Sequence, residues 1–171
     1  MTTEPLFDST TFRRVCGQFP TGVTAVTAVT DTGEVAALTV NSFTSVSLEP
    51  AKVLFCLATS SSSFDRLQRA RRIAVHILAQ DQEDVARRFA TSGLSGEEKL
   101  EGVEWTAGPD GVPIIPDTPA ILAGTTDEAI TSGDHVIFVL DVDHVHLKPG
   151  PVPALSFYQG RFASPTAVIA E

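Results

Sequence analysis

A run of amide and hydroxyl residues, Thr39 to Ser47, follows a strand-like segment and is the first pattern that could do chemistry. In one interpretation it is a strand exit whose Ser, Thr and Asn side chains hydrogen-bond to nearby backbone. In the other it is a polar edge that recognises a planar heterocycle, because alternating donors and acceptors can pair with ring carbonyls and ring nitrogens. The pattern alone leaves both interpretations open.

Four consecutive serines, Ser60 to Ser63, lie between an apolar segment and a helical one. A helix cap needs only one of these hydroxyls. Hydroxyls and free N–H groups at the start of a helix also suit a phosphate, which the positive end of the helix dipole attracts. The serines therefore predict a capped helix, a phosphate site or a plain loop.

Two adjacent arginines, Arg87 and Arg88, come late in the next helical segment. They lie about 100° apart around the helix axis, so at most one can share a pocket with Phe89. Both are expected to face solvent by default. If one of them binds a ligand we select Arg88, because its planar fork of donors suits a phosphate.

Histidine occurs in a turn at Gly133-Asp134-His135, where it opens an apolar strand-like segment. Such a histidine either has no role or contacts a nicotinamide or a pyrophosphate. His144 and His146 share one face of a strand, which is compatible with a metal pair. Because no third ligand is visible, we expect a polar face there and predict no metal site.

Several motifs of other enzyme classes are absent from the sequence. It has no GxSxG elbow, no HExxH, no GxxxxGK followed by Ser or Thr, and no paired CxxC motifs. The sequence therefore contains no motif that indicates a hydrolase, a metalloprotease or a nucleoside triphosphatase. GxGxxG is absent and helices do not alternate with strands, so a doubly wound nucleotide-binding fold is disfavoured.

The first element is predicted to be a helix that is capped by Asp8 or Ser9 and stopped by Pro20. It is expected to carry one apolar stripe. The stripe consists of Phe12, Val15, Cys16 and Phe19.

The hydrophobic pattern of the rest of the chain predicts many short strands and few helices. The predicted strands are 23–29, 35–40, 53–58, 73–78, 121–125, 135–142 and 154–158. The almost wholly apolar segment 53–58 is expected to be buried on both faces. One helix should follow the serines, a second should open at Asp81, and 91–101 should be an exposed, mobile connection. This order predicts a mainly β fold with flanking helices, in which the helices pack outside an antiparallel barrel.

The bulk composition suits one domain, since 43% of the 171 residues are hydrophobic and 19% are charged. We expect this domain to span 1–171, with a core at about 12–162 and short extensions at both ends. The net charge of −9 would repel nucleic acid. No apolar run approaches the roughly 20 residues of a membrane span, and the N-terminus lacks a secretory pattern, which predicts a cytoplasmic protein with no membrane partner. Cys16 and Cys56 are expected to be buried small hydrophobes.

Six segments carry, in order and spacing, a resemblance to a known family. They are FRRVCGQFPTGVTAVT, LTVNSFTSVSLEPAKVLFCL, SSSF, RRFA, GDH and SFYQGRF. From about Phe12 to Phe162 the chain resembles the flavin reductase family, whose domain is a flavin-binding split barrel. NSFTSVSLEP and GDH are the most specific parts. The resemblance implies an antiparallel split β-barrel that is flavin-reductase-like.

The resemblance also implies an activity. Similar proteins are NAD(P)H:flavin oxidoreductases that reduce FAD or FMN, with NADH as donor more often than NADPH. It implies a homodimer with flavin near the subunit interface, and a flavin-dependent monooxygenase as the partner that receives reduced flavin. Because hydride passes directly between the cofactors, no catalytic residue is predicted. The alternatives are a non-catalytic flavin-binding protein and a flavoenzyme that keeps its flavin as a prosthetic group.

Carried over residue by residue, the resemblance assigns three groups of site residues. Flavin would be bound by Thr39, Val40, Asn41 and Ser42 at the isoalloxazine and ribityl chain, and by Ala58, Thr59, Ser60, Ser61, Ser62, Arg88, Phe89 and Ala90 around the phosphates. The nicotinamide cofactor would contact His135, with Tyr158 as a companion. The sequence departs from the family pattern at Asp141, which stands near a position often occupied by glycine.

Overall fold

A seven-stranded antiparallel sheet dominates the protein, whose computed structural model describes residues 7–164. The described strands are β1 (Thr21–Gly22), β2 (Thr24–Thr30), β3 (Val35–Val40), β4 (Thr44–Leu48), β5 (Ala51–Ala58), β6 (Ala70–Ile77), β7 (Thr106–Ala107), β8 (Pro113–Ile114), β9 (Ala120–Ser132), β10 (His135–Leu147), β11 (Ser156–Tyr158) and β12 (Arg161–Ala163). The described helices are α1 (Ser9–Cys16), α2 (Phe64–Gln68), α3 (Glu83–Ala90) and α4 (Gly96–Leu100), with 3-10 turns at Gln80–Gln82 and Pro109–Gly111. The cytoplasmic prediction rests partly on residues 1–6, which lie outside the described residues.

The main sheet has the strand order β3-β2-β6-β9-β10-β5-β4, and its neighbouring strands are antiparallel. β3 and β4 form opposite edges although only residues 41–43 connect them. A flat sheet would hold these edges about 29 Å apart, whereas the connection spans at most about 14 Å. The sheet therefore curls, and the gap in its ladder between β3 and β4 leaves the barrel split.

The curled sheet encloses an apolar core to which β2, β3, β5 and β10 all contribute. Val26 and Leu38 come from the first hairpin, and Phe55 and Phe138 from the opposite side. The two phenylalanine rings stack with their centroids 5.5 Å apart, and they are paired across the β5–β10 ladder. This arrangement confirms the predicted mainly β fold with flanking helices.

A second apolar cluster lies outside the curled sheet, beneath α3. Ala86 and Phe89 of α3 are buried there against Val23 and Ala25. β2 is therefore covered on both faces and is buried along its whole length. This packing brings the C-terminal end of α3 to the sheet beside β3.

Two predictions about burial are wrong. β5 begins at Ala51 and alternates, with Val53, Phe55 and Leu57 buried and the residues between them half-buried, because only one of its faces meets the enclosed core. Of the two cysteines, Cys56 lies on the other face of β5 and is half-buried, and Cys16 is exposed on α1.

Helix α1 begins after its predicted cap, since the Asp8 carboxylate accepts a hydrogen bond from the N–H of Thr11. Its apolar stripe is not covered, however. No residue of α1 is buried within the described chain, and Phe12 and Val15 are 54% and 65% exposed.

Residues 91–101 are not the exposed connection that was predicted, because they contain α4. The N–H of Glu98 donates to Ser95 Oγ at 3.1 Å, and the N–H of Ser95 donates to Glu98 Oε2 at 2.7 Å. This reciprocal capping box starts the helix. Lys99 and Leu100 at its end are buried.

Element lengths also differ from prediction. β9 and β10 have 13 residues each and extend beyond 121–125 and 135–142, because each strand pairs with the other along its length. α3 begins at Glu83 after a 3-10 turn that includes Asp81. Ala154 forms only an isolated bridge with Ala79, so the last predicted strand starts at Ser156. Of the described helices, none has the length and apolar character needed to cross a membrane.

Candidate functional site

The predicted site residues at the exit of β3 differ in burial and in hydrogen bonding. Thr39 is half-buried, and its Oγ1 donates to the carbonyl of Ala86 in α3 at 2.7 Å. Val40 is 8% exposed and packs in the enclosed core, so only its backbone can reach a ligand. Asn41 is exposed, and its amide makes no hydrogen bond within residues 7–164. The Asn41 side chain is therefore available to a ligand.

Ser42 joins the two sides of the split barrel. Its Oγ accepts a hydrogen bond from the N–H of Cys56 at 2.9 Å and donates to the carbonyl of Cys56 at 3.3 Å. Cys56 lies in β5, which is the neighbour of the edge strand β4 on the opposite side of the sheet from β3. The Ser42 hydroxyl therefore fixes the position of the β3 exit.

Two cavities are lined by the residues that precede and follow Val40 in the chain. The serine cavity, of about 530 Å³, is lined by Thr39, Ala58, Ser60–Ser62, Phe89, Ala90 and Lys99. The strand-exit cavity, of about 610 Å³, is lined by Phe19, Thr21, Asn41, Ser42, Phe43 and Thr44. The structure therefore gathers most of the predicted flavin-binding residues around these two cavities.

The loop that carries the serines leads into α2, but no serine side chain caps this helix as predicted. α2 has only five residues, and its N-cap Ser63 makes no cap bond, because its hydroxyl donates to the carbonyl of Ala37 at 3.3 Å. So short a helix sums few peptide dipoles. The N–H groups of Ser60 and Ser62, however, donate no hydrogen bond within residues 7–164. The loop thus offers hydroxyls and free N–H groups, but no helix dipole.

The predicted site residues at the end of α3 line two different cavities. Phe89 and Ala90 line the serine cavity. Arg88 does not, because its guanidinium donates to the carbonyl of Glu98 and lines another cavity, of about 680 Å³, with acidic residues such as Glu101. The side chain of Arg88 is therefore not brought together with the serines.

Lys99 is a charged residue of the serine cavity that sequence reasoning missed. It is 4% exposed, and its Nζ donates to the carbonyl of Ala37 at 3.0 Å. Burial lowers the pKa of the Lys99 ammonium. The signal that could have found it is the capping box of Ser95 and Glu98, which predicts a helix just ahead of Lys99.

Gly96 determines how closely α4 approaches β3. A Cβ at this position would lie 2.0 Å from the carbonyl oxygen of Val35. Only glycine therefore allows α4 to pack directly on β3, and this packing brings Lys99 to Ala37.

His135 lies at the rim of the serine cavity, since it pairs with Ala58 across the β5–β10 ladder. The N–H of Thr59 donates to the carbonyl of Asp134 at 2.9 Å and ties the turn to the serine loop. Nδ1 of His135 donates to Asp134 Oδ1 at 2.7 Å, and this hydrogen bond is the main cause that lowers the pKa of the Asp134 carboxyl. The imidazole is thereby oriented, with Nε2 left for a ligand.

Tyr158 lines neither the serine cavity nor the strand-exit cavity. Its hydroxyl accepts a hydrogen bond from Gln159 Nε2 at 3.2 Å. The N–H of Gln159 donates to the carbonyl of Gly17 at 3.0 Å. Tyr158 is therefore held against the end of α1.

The remaining candidates lie farther along β10. Asp141 is paired with Lys52 Nζ at 2.8 Å, and the strand continues past it. His144 and His146 line a cavity of about 500 Å³ together with Lys148. Within residues 7–164, no group of three His, Cys, Asp or Glu side chains is arranged to hold a metal ion.

Comparison with known proteins identifies flavin reductases among the relatives of this chain. The chain is 41% identical over 137 residues to a probable flavin reductase of Rhizobium meliloti, covering 80% of this chain but only 43% of that protein. It is 35% identical over 156 residues to HsaB, the reductase subunit of a flavin-dependent monooxygenase of Mycobacterium tuberculosis, covering 91% and 81% of the two chains. The chain thus spans less than half of the first relative and most of the second.

Among solved structures, the chain is similar to NADH:FAD oxidoreductase SgcE6 of Streptomyces globisporus C-1027 in complex with NAD and FAD fragments. The two chains are 35% identical, with a TM-score of 0.87 over 99% of this chain and 100% of the other. The family model of the flavin reductase like domain matches residues 16–166, which include the β3 exit, the serine loop and the Gly133-Asp134-His135 turn. The chain therefore belongs to the flavin reductase like domain family.

Proposed function

We propose that this chain is an NADH-dependent flavin reductase, which reduces FAD or FMN by hydride transfer and supplies free reduced flavin to a partner flavin-dependent monooxygenase. The observation that carries the proposal is the pair of cavities at the β3 exit, one of which holds serines and a buried ammonium group. The name of SgcE6 supports NADH as donor, with NADPH as the less favoured alternative, and the name of HsaB supports an oxygenase partner. We also propose that residues 1–171 form one domain and that the protein acts in the cytoplasm.

The two cavities fit the two ends of a flavin. In the serine cavity, hydroxyls, free N–H groups and Lys99 are the donors that a phosphate accepts. In the strand-exit cavity, the amide of Asn41 can pair with polar ring atoms, and Phe19 and Phe43 offer apolar surface to a planar ring system. Val40 lies between Thr39 and Asn41 in the chain, and its backbone would follow the ribityl chain.

The cofactors, when bound, supply the chemistry, which is transfer of a hydride from nicotinamide C4 to flavin N5. The residues of the chain supply alignment, because holding two rings at a contact distance of roughly 3–3.5 Å makes the reaction nearly unimolecular. The Asn41 amide and the backbone N–H of Ser42 stabilise the negative charge that develops on the flavin ring. The oriented imidazole of His135 binds the nicotinamide cofactor at the cavity rim. No side chain has to donate or accept a proton in the hydride step.

The same proposal includes a homodimer. An isolated helix of eight residues is unstable in water, so α1 needs a surface to cover its apolar stripe. Within the described chain that stripe is open, and Phe19, which follows α1, is 74% exposed. Phe19 also lines the strand-exit cavity, so a second copy packed on α1 would close the cavity where the flavin ring is proposed to bind.

The direct test is to mix the purified chain with NADH and either FAD or FMN and to follow the loss of NADH absorbance. Flavin-dependent acceleration that saturates with free flavin is expected, with NADPH oxidised less efficiently. Flavin that co-purifies tightly without NADH oxidation would indicate a flavin-binding protein instead. Activity that does not vary with added flavin would indicate a prosthetic group.

A further inference from the structure

The C-terminal end of β10 contributes to a cavity that the proposed function does not use. We call this cavity of about 500 Å³, lined by His144, His146 and Lys148, the histidine cavity. Its walls combine residues of the β9–β10 pair with residues of the segment 106–118. His144 lies about nine residues beyond His135 on β10, which is roughly 30 Å along a strand. The histidine cavity is therefore separate from the two cavities assigned to the flavin.

Two imidazoles stand at the rim of the histidine cavity. His144 and His146 share one face of β10, opposite Ala123 and Ile121 of β9. Both are exposed, and neither imidazole makes a hydrogen bond within residues 7–164. An imidazole carries an N–H donor in either tautomer. The rim thus offers two donors to a ligand.

The charges beside these imidazoles favour an anionic ligand. Lys148 Nζ donates to the carboxylate of Asp117 at 2.8 Å and to its carbonyl at 3.5 Å, which leaves one of three N–H donors. Asp143, which precedes His144, accepts a hydrogen bond from Arg72 Nη1 at 2.7 Å. Both carboxylates therefore have a cationic partner already. A carboxylate that enters with a ligand would find donors at the rim without an unpaired negative charge to repel it.

The inner wall of the histidine cavity has a different character. Ile114, Pro116 and Ile121 make it apolar. Thr118 also lines the cavity and is 2% exposed, and its Oγ1 makes no hydrogen bond within the described chain. A buried hydroxyl without a partner costs free energy, and rotation about its Cα–Cβ bond can turn it toward the cavity. A neutral polar group at the inner end of a ligand would supply the missing partner.

We propose that the histidine cavity binds a small aromatic carboxylic acid that carries a hydroxyl group. The carboxylate lies at the rim beside His144 and His146, because a charge is least costly where solvent reaches it. The ring packs on the apolar wall, and the hydroxyl group pairs with Thr118. A volume of about 500 Å³ is within the usual range for sites of small molecules. The inference is independent of the proposed function, because none of these residues lines a cavity assigned to the flavin.

The test is isothermal titration of the flavin-free chain with 4-hydroxybenzoate, benzoate and phenol at one pH. 4-Hydroxybenzoate has both polar groups and should bind saturably and most tightly. Thr118→Val should weaken binding of 4-hydroxybenzoate and phenol about three- to tenfold, the effect of one lost hydrogen bond, and leave benzoate unchanged. The double variant His144→Ala/His146→Ala should weaken binding of the two acids and leave phenol unchanged.

Thr27→Val is the matched control for removal of a buried threonine hydroxyl. Thr27 is fully buried like Thr118, but its Oγ1 donates to the carbonyl of Pro113 at 2.6 Å. Thr27→Val should therefore lower the midpoint of thermal unfolding, whereas Thr118→Val should leave it unchanged or raise it. Asn41→Ala, in the strand-exit cavity, is the control for the location and should keep the affinity for 4-hydroxybenzoate.

Three results would overturn the inference. They are no binding of 4-hydroxybenzoate to the parent chain, equal loss of all three ligands in Thr118→Val, and loss of 4-hydroxybenzoate in Asn41→Ala instead. A parent chain that reduces flavin but binds no aromatic acid would refute this inference alone. A chain that binds the acid as expected but shows no flavin-dependent oxidation of NADH would refute the proposed function alone.

Discussion

Ser42 Oγ hydrogen-bonds to both backbone polar groups of Cys56, accepting from its N–H at 2.9 Å and donating to its carbonyl at 3.3 Å. One side chain thus hydrogen-bonds to β5, which lies next to the edge strand β4. The segment that leaves β3 is thereby held at a fixed distance from β5. Since Asn41 precedes Ser42, the geometry of the strand-exit cavity depends on this pair.

Replacing Ser42 by alanine should therefore affect stability and flavin binding together. Ser42→Ala leaves the N–H and carbonyl of Cys56 without their partner, and we expect the free energy of unfolding to fall by about 1–3 kcal/mol. The KM for flavin should rise because the β3 exit is released. Urea unfolding and steady-state kinetics measure the two effects. Ser45→Ala, on the exposed strand β4, is the control, and equal stability of the two variants would contradict the role of Ser42.

Replacing Asn41 should raise the KM for flavin, and replacing His135 should raise the KM for NADH. Asn41→Ala removes an amide that has no other partner within the described chain, and the KM for flavin should rise about three- to tenfold. His135→Ala removes the imidazole that Asp134 orients, and the KM for NADH should rise while the KM for flavin changes little. Steady-state kinetics with each substrate varied in turn measures both effects. If both variants keep the parent kinetics, the proposed site is wrong even where the activity is right.

His76 should make stability depend on pH. It is fully buried, its Nδ1 donates to the carbonyl of Ala25 at 3.1 Å, and its Nε2 accepts from the N–H of Ile115 at 3.2 Å, so the ring is neutral. Burial lowers the pKa of His76 to about 4, from an ordinary value of 6.5. The unfolded chain therefore binds a proton that the folded chain does not. Stability from this residue is complete above pH 6.5 and is lost as pH falls toward 4.

The loss between pH 7.5 and pH 5 should be about 2 kcal/mol, as urea unfolding at the two values would measure. His76→Leu should be less stable at pH 7.5, because the Ala25 carbonyl and the Ile115 N–H lose their partner. It should also lose most of the pH dependence in this range. The exposed His144 provides the control variant His144→Leu. A His76→Leu protein with the parent's pH dependence would contradict this account.

The sequence predicted the first hairpin because its signals are local. β2 and β3 are rich in β-branched and apolar residues, and Asp31-Thr32-Gly33 supplies turn chemistry between them. The same patterning predicted the first eight residues of β10, 135–142. The outer part of β9 from Asp127 to Ser132 is polar, and it is a strand because it pairs with β10 rather than because of its own pattern. Pairing of this kind cannot be predicted from a single segment.

The candidate site was predictable in its residue types but not in its contacts. The β3 exit and the serine loop are marked by polar runs at strand ends. The partner of Ser42 is a backbone group in another strand, and the direction of Arg88 depends on α4 packing beside α3. Lys99 was missed because its burial depends on how closely Gly96 approaches β3. These are tertiary contacts that local patterns do not encode.

The exposed stripe of α1 yields the last prediction, which concerns assembly. Phe12 and Val15 are more than half exposed although they lie on the apolar side of an amphipathic helix. Replacing both by aspartate should disrupt a dimer interface centred on α1, because buried aromatic residues contribute strongly to such interfaces and charges are costly there. Light scattering during size-exclusion chromatography should show a dimer for the parent chain and a monomer for Phe12→Asp/Val15→Asp.

Leu147→Asp places the same charge on another exposed apolar position, at the end of β10, and should leave the dimer intact. The monomeric double variant should also bind flavin more weakly, since Phe19 at the end of the same segment lines the strand-exit cavity. Dissociation caused by Leu147→Asp but not by the double variant would place the interface on β10 instead. A parent chain that stays monomeric at high concentration would contradict the homodimer, and α1 would then have to be covered by another partner, for which the oxygenase is the first candidate to test.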